Sequence, residues 1–146
     1  MRVLQMRSSW AVECKRLRSR ANADLLSRLR LDPARQLIAA QCSGTLILAK
    51  LGLLDGVMAC TDLTTRPWVE EAGIRVLERP FFANGNLATA GGCLAAQYLA
   101  AWLIARVEGI EAARSALHYV APVGEKDVSL PQGAVRTGRD TFILNE

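Results

Sequence analysis

At 146 residues, 51% apolar and 22% charged, the chain has the size and make-up of one globular domain and excludes a disordered or fibrous polymer. Its formal charge of +4 gathers near the start, where residues 2–35 hold eight arginines and Lys15 against Glu13, Asp24 and Asp32. Cys14, Cys42, Cys60 and Cys93 are too widely spaced for a CxxC pair or a zinc framework, and with a single histidine neither a metal nor a cofactor is expected.

Residues 1–9 carry no periodic pattern and no apolar stretch before a small-residue cleavage site, so neither structure nor export is expected of them. Ala11 to Arg30 is compatible with a basic helix, with Val12, Leu17, Leu25, Leu26 and Leu29 near helical spacing, and Asp32-Pro33 ends it. The simplest role for those arginines is a solvated helix face. Trp10 is the lone aromatic among them, which leaves no stacking platform for bases, and nucleic acid is not an expected partner. Gln36 to Gln41 then reads as a strand, Ser43 to Gly52 as a helix and Leu53 to Gly56 as a turn.

The rest alternates in the same way. Val57 to Thr61 reads as a strand, and Thr64 to Ala72 as a short helix whose Pro67 falls in the first turn, where its missing N–H costs nothing. Ile74 to Leu77 follows as a strand. Asn84-Gly85-Asn86 is a turn signal before a strand over Leu87 to Ala90. Gly92 to Val107 is the most apolar helix, closed by Gly109, and Glu111 to Val120 forms the last helix. The tail beyond Ala121, with Pro122 and Pro131, is expected to be loose. Leu87 to Ala105 is long enough to cross a bilayer, but Gly91-Gly92 and Gln97 interrupt it, and a buried helix of an α/β domain gives the same pattern. No membrane association is expected. Strands alternating with helices predict an α/β fold with a mostly parallel sheet.

The sharpest local feature is Ala39-Ala40-Gln41-Cys42-Ser43-Gly44, where a strand runs into a helix with a cysteine at the junction. Such a nucleophile elbow lifts a side chain above the sheet edge and aims it at the helix start. There the helix dipole and free N–H groups lower a thiol's pKa. The Ser43 N–H would face an oxyanion beside Cys42, and Gly44 would let the backbone come close. Free cysteines are also among the most buried residue types, so an inert core thiol is the competing reading.

Ile38 to Gly56 (IAAQCSGTLILAKLGLLDG) is similar to the cysteine block of the ThiJ/PfpI family, and Asn84 to Gly109 (NGNLATAGGCLAAQYLAAWLIARVEG) resembles that family's next block, in the same order and at the same spacing. The resemblance implies a flavodoxin-like sandwich of the class I glutamine-amidotransferase type. It makes Cys42 the family's nucleophilic or oxidisable cysteine and Ser43 the oxyanion-hole amide. Where many members carry a histidine just after the Gly-Leu-Leu-Asp-Gly turn, this chain has Asp62. Asp62 is the third candidate site residue, for acid–base help, although an ionised carboxylate raises a neighbouring thiol's pKa. Its bland reading is a cap for the helix that follows.

The family's first strands and its cysteine-contacting glutamate lie in a segment for which this chain has only 41 residues before Cys42. No strand leads into Glu13, so the glutamate's role is not carried onto it. The expected organisation is a basic helical segment over 1–35, a partial ThiJ/PfpI-like domain over 36–121 with its N-terminal strands missing or replaced, and a tail over 122–146. Exposure of a sheet edge would favour a homodimer. Cys60 and Cys93 read as core, and His118 as structural or exposed. The function implied is cysteine-dependent hydrolysis, hydration or glyoxalase-like chemistry on a small molecule in the cytoplasm. The alternatives are a ligand- or oxidation-sensing module, or an inactive relative.

Overall fold

The computed structural model describes residues 26, 28–121 and 123. The chain divides into two compact units, Met1–Arg30 and Leu31–Glu146, and the fold below is that of the second. The expected basic helix and the loose tail fall almost wholly outside the described residues.

Among the described residues eight elements follow one another: β1 (Ile38–Gln41), α1 (Gly44–Lys50), α2 (Arg66–Glu71), β2 (Phe81–Asn84), β3 (Leu87–Ala90), a 3-10 turn (Cys93–Ala95), α3 (Ala96–Val107) and α4 (Ile110–Val120). The strands form one sheet in the order β1-β3-β2. β1 runs parallel to β3, with Ile38 opposite Leu87 and Gln41 opposite Ala90. β2 is antiparallel to β3 across the Asn84–Leu87 hairpin. A further parallel bridge joins Ala59 to Val76, so two of the three pairings among the described residues are parallel.

Successive strand residues point to opposite faces, which shows that both faces of β1 are covered. Ala39 packs against the cluster of Phe81, Ala83, Ala88, Ala90, Ala95 and Trp102, on the side of α3. Its neighbour Ala40 faces the start of α1, where a Cβ built on Gly44 would lie 3.4 Å from the Ala40 Cβ. Small residues along β1 and β3 let the helices approach closely. The α/β sandwich expected from the sequence is therefore present, at small size.

Large side chains on the helix and on β2 fill what the alanines leave. Trp102 is the largest member of the apolar cluster and is 3% exposed. Arg106 lies over its ring at 5.6 Å, an arrangement favoured by the ring's electron-rich face. The apolar stretch from Leu87 to Ala105 is divided between β3, the 3-10 turn and α3. No helix among the described residues is long and apolar enough to cross a membrane.

Two expectations need correction. The segments 57–61 and 74–77 do not extend into strands but meet only at the Ala59–Val76 bridge. The reason is visible in their hydrogen bonds. The Cys60 N–H donates to Thr89 Oγ1 at 2.8 Å, and Thr45 Oγ1 donates to the Cys60 carbonyl at 2.9 Å. Buried hydroxyls thus satisfy backbone groups that a ladder would otherwise take. Conversely, β2 appears where no strand was expected. Its first three residues are all buried, so it lacks the alternation that marks a half-exposed strand.

Candidate functional site

The β1–α1 junction holds Cys42 in the left-handed region, at φ +51°, the sole non-glycine residue with positive φ among the described residues. For an L-residue that conformation costs roughly 1–2 kcal/mol, so the surroundings must hold it. They do so on both sides of the peptide. The Cys42 N–H donates to the Ala90 carbonyl at 2.9 Å, extending the parallel ladder by one residue. The Cys42 carbonyl accepts from the Thr45 N–H at 3.1 Å and from Thr61 Oγ1 at 2.8 Å. The left-handed bend at the strand-to-helix junction is therefore pinned by hydrogen bonds to both its N–H and its carbonyl.

Ser43 follows with helical dihedrals as the first residue before α1, and its hydroxyl makes no capping hydrogen bond. Its N–H finds no backbone acceptor among the described residues. That leaves it able to donate to an oxyanion beside Cys42.

The electrostatics run against the sequence-based expectation. Burial pushes the Cys42 thiol above its ordinary value of 9.0, the nearby Asp62 and the Cys93 thiol push it further, and only a hydrogen bond from the Gly92 N–H opposes them. The expected lowering by the helix start does not prevail, because α1 is a seven-residue helix and Cys42 is only 6% exposed. The thiol, not the thiolate, is the resting form at neutral pH.

Asp62 does not cap α2, whose N-cap is Thr65, but holds the turn before it. Its Oδ1 accepts from the N–H groups of Thr64 and Thr65, both at 3.0 Å, fixing the turn that leads into α2. Its Oδ2 is buried and has no hydrogen-bond partner. One carboxylate thus anchors the loop with one oxygen and keeps the other uncommitted, within electrostatic reach of Cys42.

The second junction, from β3 to α3, supplies what sequence reasoning missed. Gly91 must be glycine: a Cβ there would lie 2.6 Å from the Thr61 carbonyl oxygen. Gly92 takes φ +86° and turns the chain. Cys93 then opens the 3-10 turn as an exposed residue. The expectation of a core thiol at Cys93 is overturned, because the apolar helix begins at Ala96 and not at Gly92. Gln41 Nε2 donates to the Gly92 and Cys93 carbonyls, each at 3.1 Å, and holds this turn over the end of β1. Cys93 thus stands beside the β1 exit, near enough to help push the Cys42 thiol up. A glycine pair between a short strand and a helix, in a chain with a parallel partner strand ending in cysteine, was the available signal.

Cys60 is a core thiol as expected, fully buried and pushed up to about 11 by burial. His118 sits exposed on α4, and it is not among the groups that act on the Cys42 thiol. The described residues contain no group of three or more His, Cys, Asp or Glu able to hold a metal ion.

Among solved structures, the chain is similar to DJ-1 of Schizosaccharomyces pombe, a protein of the ThiJ/PfpI family, at TM-score 0.54 and 24% identity over 68% of this chain and 57% of that one. A point mutant of the same protein matches at TM-score 0.50 and 24% identity, over 57% of this chain and 44% of that one. The chain spans about half the length of these structures. No family model matches the chain, and no curated protein does. The likeness is one of fold, and at that level the resemblance read in Ile38–Gly56 and Asn84–Gly109 holds.

Proposed function

We propose that this ThiJ/PfpI-like fold does cysteine chemistry at Cys42 on a small molecule with an electrophilic carbon, by hydrolysis, hydration or glyoxalase-like addition. The observation that carries the reading is the positive φ of Cys42 at the β1–α1 junction. Backbone strain of this kind persists where surrounding structure holds it, and it concentrates at functional turns. The chemistry starts from a neutral thiol. As the Cys42 sulfur bonds to the substrate carbon, its proton passes to Asp62 Oδ2, the oxygen without a partner. The oxyanion that forms accepts from the Ser43 N–H and later regains the proton from Asp62. Asp62 takes the place of the histidine carried by many members of the family.

A second reading, oxidation sensing, is favoured by a second cysteine, Cys93, at the strand exit adjoining Cys42. A cytoplasmic location fits the free thiols at Cys42, Cys60 and Cys93. A homodimer fits a small sheet and the exposed Tyr119 and Val120 of α4. The division into a segment over 1–35, a domain over 36–121 and a tail over 122–146 belongs to the same proposal.

The test pairs reactivity with turnover, using methylglyoxal and an alkyl isonitrile as substrates for the full chain. Wild type should turn over one of them, and Cys42→Ala should lose the activity while its melting temperature stays close to wild type. Asp62→Asn removes the charge that raises the thiol pKa. Iodoacetamide should then alkylate Cys42 at lower pH than in wild type, where the rate still climbs above pH 9. Turnover in the same variant should nevertheless fall, by about 10²-fold or more for a lost general base. Equal turnover in Cys42→Ala sinks the reading, and full activity in Asp62→Asn removes Asp62 from it.

A further inference from the structure

The ends of β1 and β3 lie side by side in register, Gln41 opposite Ala90, so the residues leaving them are neighbours in space. Three contacts tie the two exits together. The Cys42 N–H donates to the Ala90 carbonyl, and the Gln41 side chain donates to the Gly92 carbonyl and to the Cys93 carbonyl. The result is two cysteines brought to adjoining strand exits, one buried and one exposed. The exposed one sits on the first residue of a short 3-10 turn, just after Gly92 at φ +86°. Such a turn has looser hydrogen-bond geometry than an α-helix, which gives Cys93 room to settle into the narrow range of disulfide geometry.

We propose that Cys42 and Cys93 form a dithiol–disulfide couple that takes hydrogen peroxide as its oxidant. Exposed Cys93 meets peroxide first. Its sulfur attacks one peroxide oxygen, the O–O bond breaks, and hydroxide leaves with the thiol proton as water, giving a sulfenic acid at Cys93. The Cys42 sulfur then attacks the Cys93 sulfur, the S–O bond breaks, and a second water carries off the Cys42 proton. Two thiols supply the two electrons that reduce one peroxide, and an external thiol restores the pair. The disulfide masks Cys42 and spares it from deeper oxidation. The proposal rests on the reading of Cys42 as a sulfur that reacts, and it adds Cys93 as the second half of the site.

The test treats the full chain with stoichiometric hydrogen peroxide, blocks remaining thiols, and maps tryptic peptides without reduction. The expected product has lost two hydrogens and links the peptide 36–50, which carries Cys42, to the peptide 76–106, which carries Cys93. Dithiothreitol should reverse it. Cys93→Ser, a change at an exposed position, should melt like wild type, form no such link and take up oxygen at Cys42 instead. Oxygen uptake at Cys42 in wild type without the link overturns the couple but leaves a reactive Cys42 standing. A wild type in which Cys93 oxidises while Cys42 resists both peroxide and iodoacetamide overturns the couple and the underlying reading together.

Discussion

Two strand-to-helix handovers lie next to each other in this molecule, and they solve one geometrical problem by different means. After β3 the chain turns at Gly92, where φ +86° carries no side-chain penalty. After β1 it turns at Cys42, where φ +51° carries one. The first handover takes its conformation without a steric penalty and leaves a thiol one residue later, on a 3-10 turn. The second accepts strain in order to put a thiol on the bend itself. The contrast separates a bend made on glycine, at no steric cost, from one made on a residue with a side chain.

The most severe way to break the pair is at Gly91. Gly91→Ala drives a Cβ to 2.6 Å from a backbone oxygen that no side-chain motion can relieve, and thermal unfolding should show a loss of about 2–3 kcal/mol. The matching change beside the other bend, Gly44→Ala, meets only the Ala40 Cβ at 3.4 Å inside a helix and should alter stability by less than about 1 kcal/mol. If Gly91→Ala melts like wild type, the close approach of the β3 exit to the Thr61 carbonyl is wrong.

Next in size is the hydroxyl that steadies the loop between them. Thr89→Val keeps the shape of a side chain that is 2% exposed but leaves the Cys60 N–H without its acceptor. Urea unfolding should register a loss of about 1–3 kcal/mol, and amide exchange at Cys60 should quicken.

The smallest effect tests the strain directly. Cys42→Gly removes an αL penalty of roughly 1–2 kcal/mol, offset by glycine's larger entropy loss on folding and by the lost burial of a small side chain. The net change in stability should stay within about 1 kcal/mol of wild type. Gly92→Ala, the reverse exchange at the other bend, should destabilise by about 1 kcal/mol. A Cys42→Gly variant several kcal/mol less stable than wild type would show that the thiol serves the core and not the bend.

Sequence reasoning saw one handover and not the other, for a physical reason. At Cys42 a short apolar run stops at a polar glutamine and the next residues favour a helix, so the bend is confined to two positions. At Gly92 the apolar residues continue through Leu94, Ala95 and Ala96 into α3, and nothing in their hydropathy marks that Cys93 stays outside. Only the backbone angle of Gly92 does. In the same way, the Phe81-Phe82-Ala83 run follows Pro80 and is buried on both faces, so it shows no alternation. The segment 57–61 looks like a strand in composition, yet threonine hydroxyls take the hydrogen bonds that a ladder would use. The hold of Asp62 on the turn before α2 was legible from its place in the chain. Its second, unpartnered oxygen was not, because burial of a single atom depends on the fold around it.

The register of β1 against β3 also sets a timetable. Ile38 pairs with Leu87, and Cys42 leans on Ala90, so the partners come from stretches of chain far apart in the order of synthesis. Such long-range parallel pairing forms slowly and only after the intervening segment exists. A growing chain therefore carries Cys42 out of the ribosome as an ordinary, unbent residue with an ordinary thiol. Its conformation, its shelter and its sulfur neighbour all arrive together, when the hairpin that contains β3 docks.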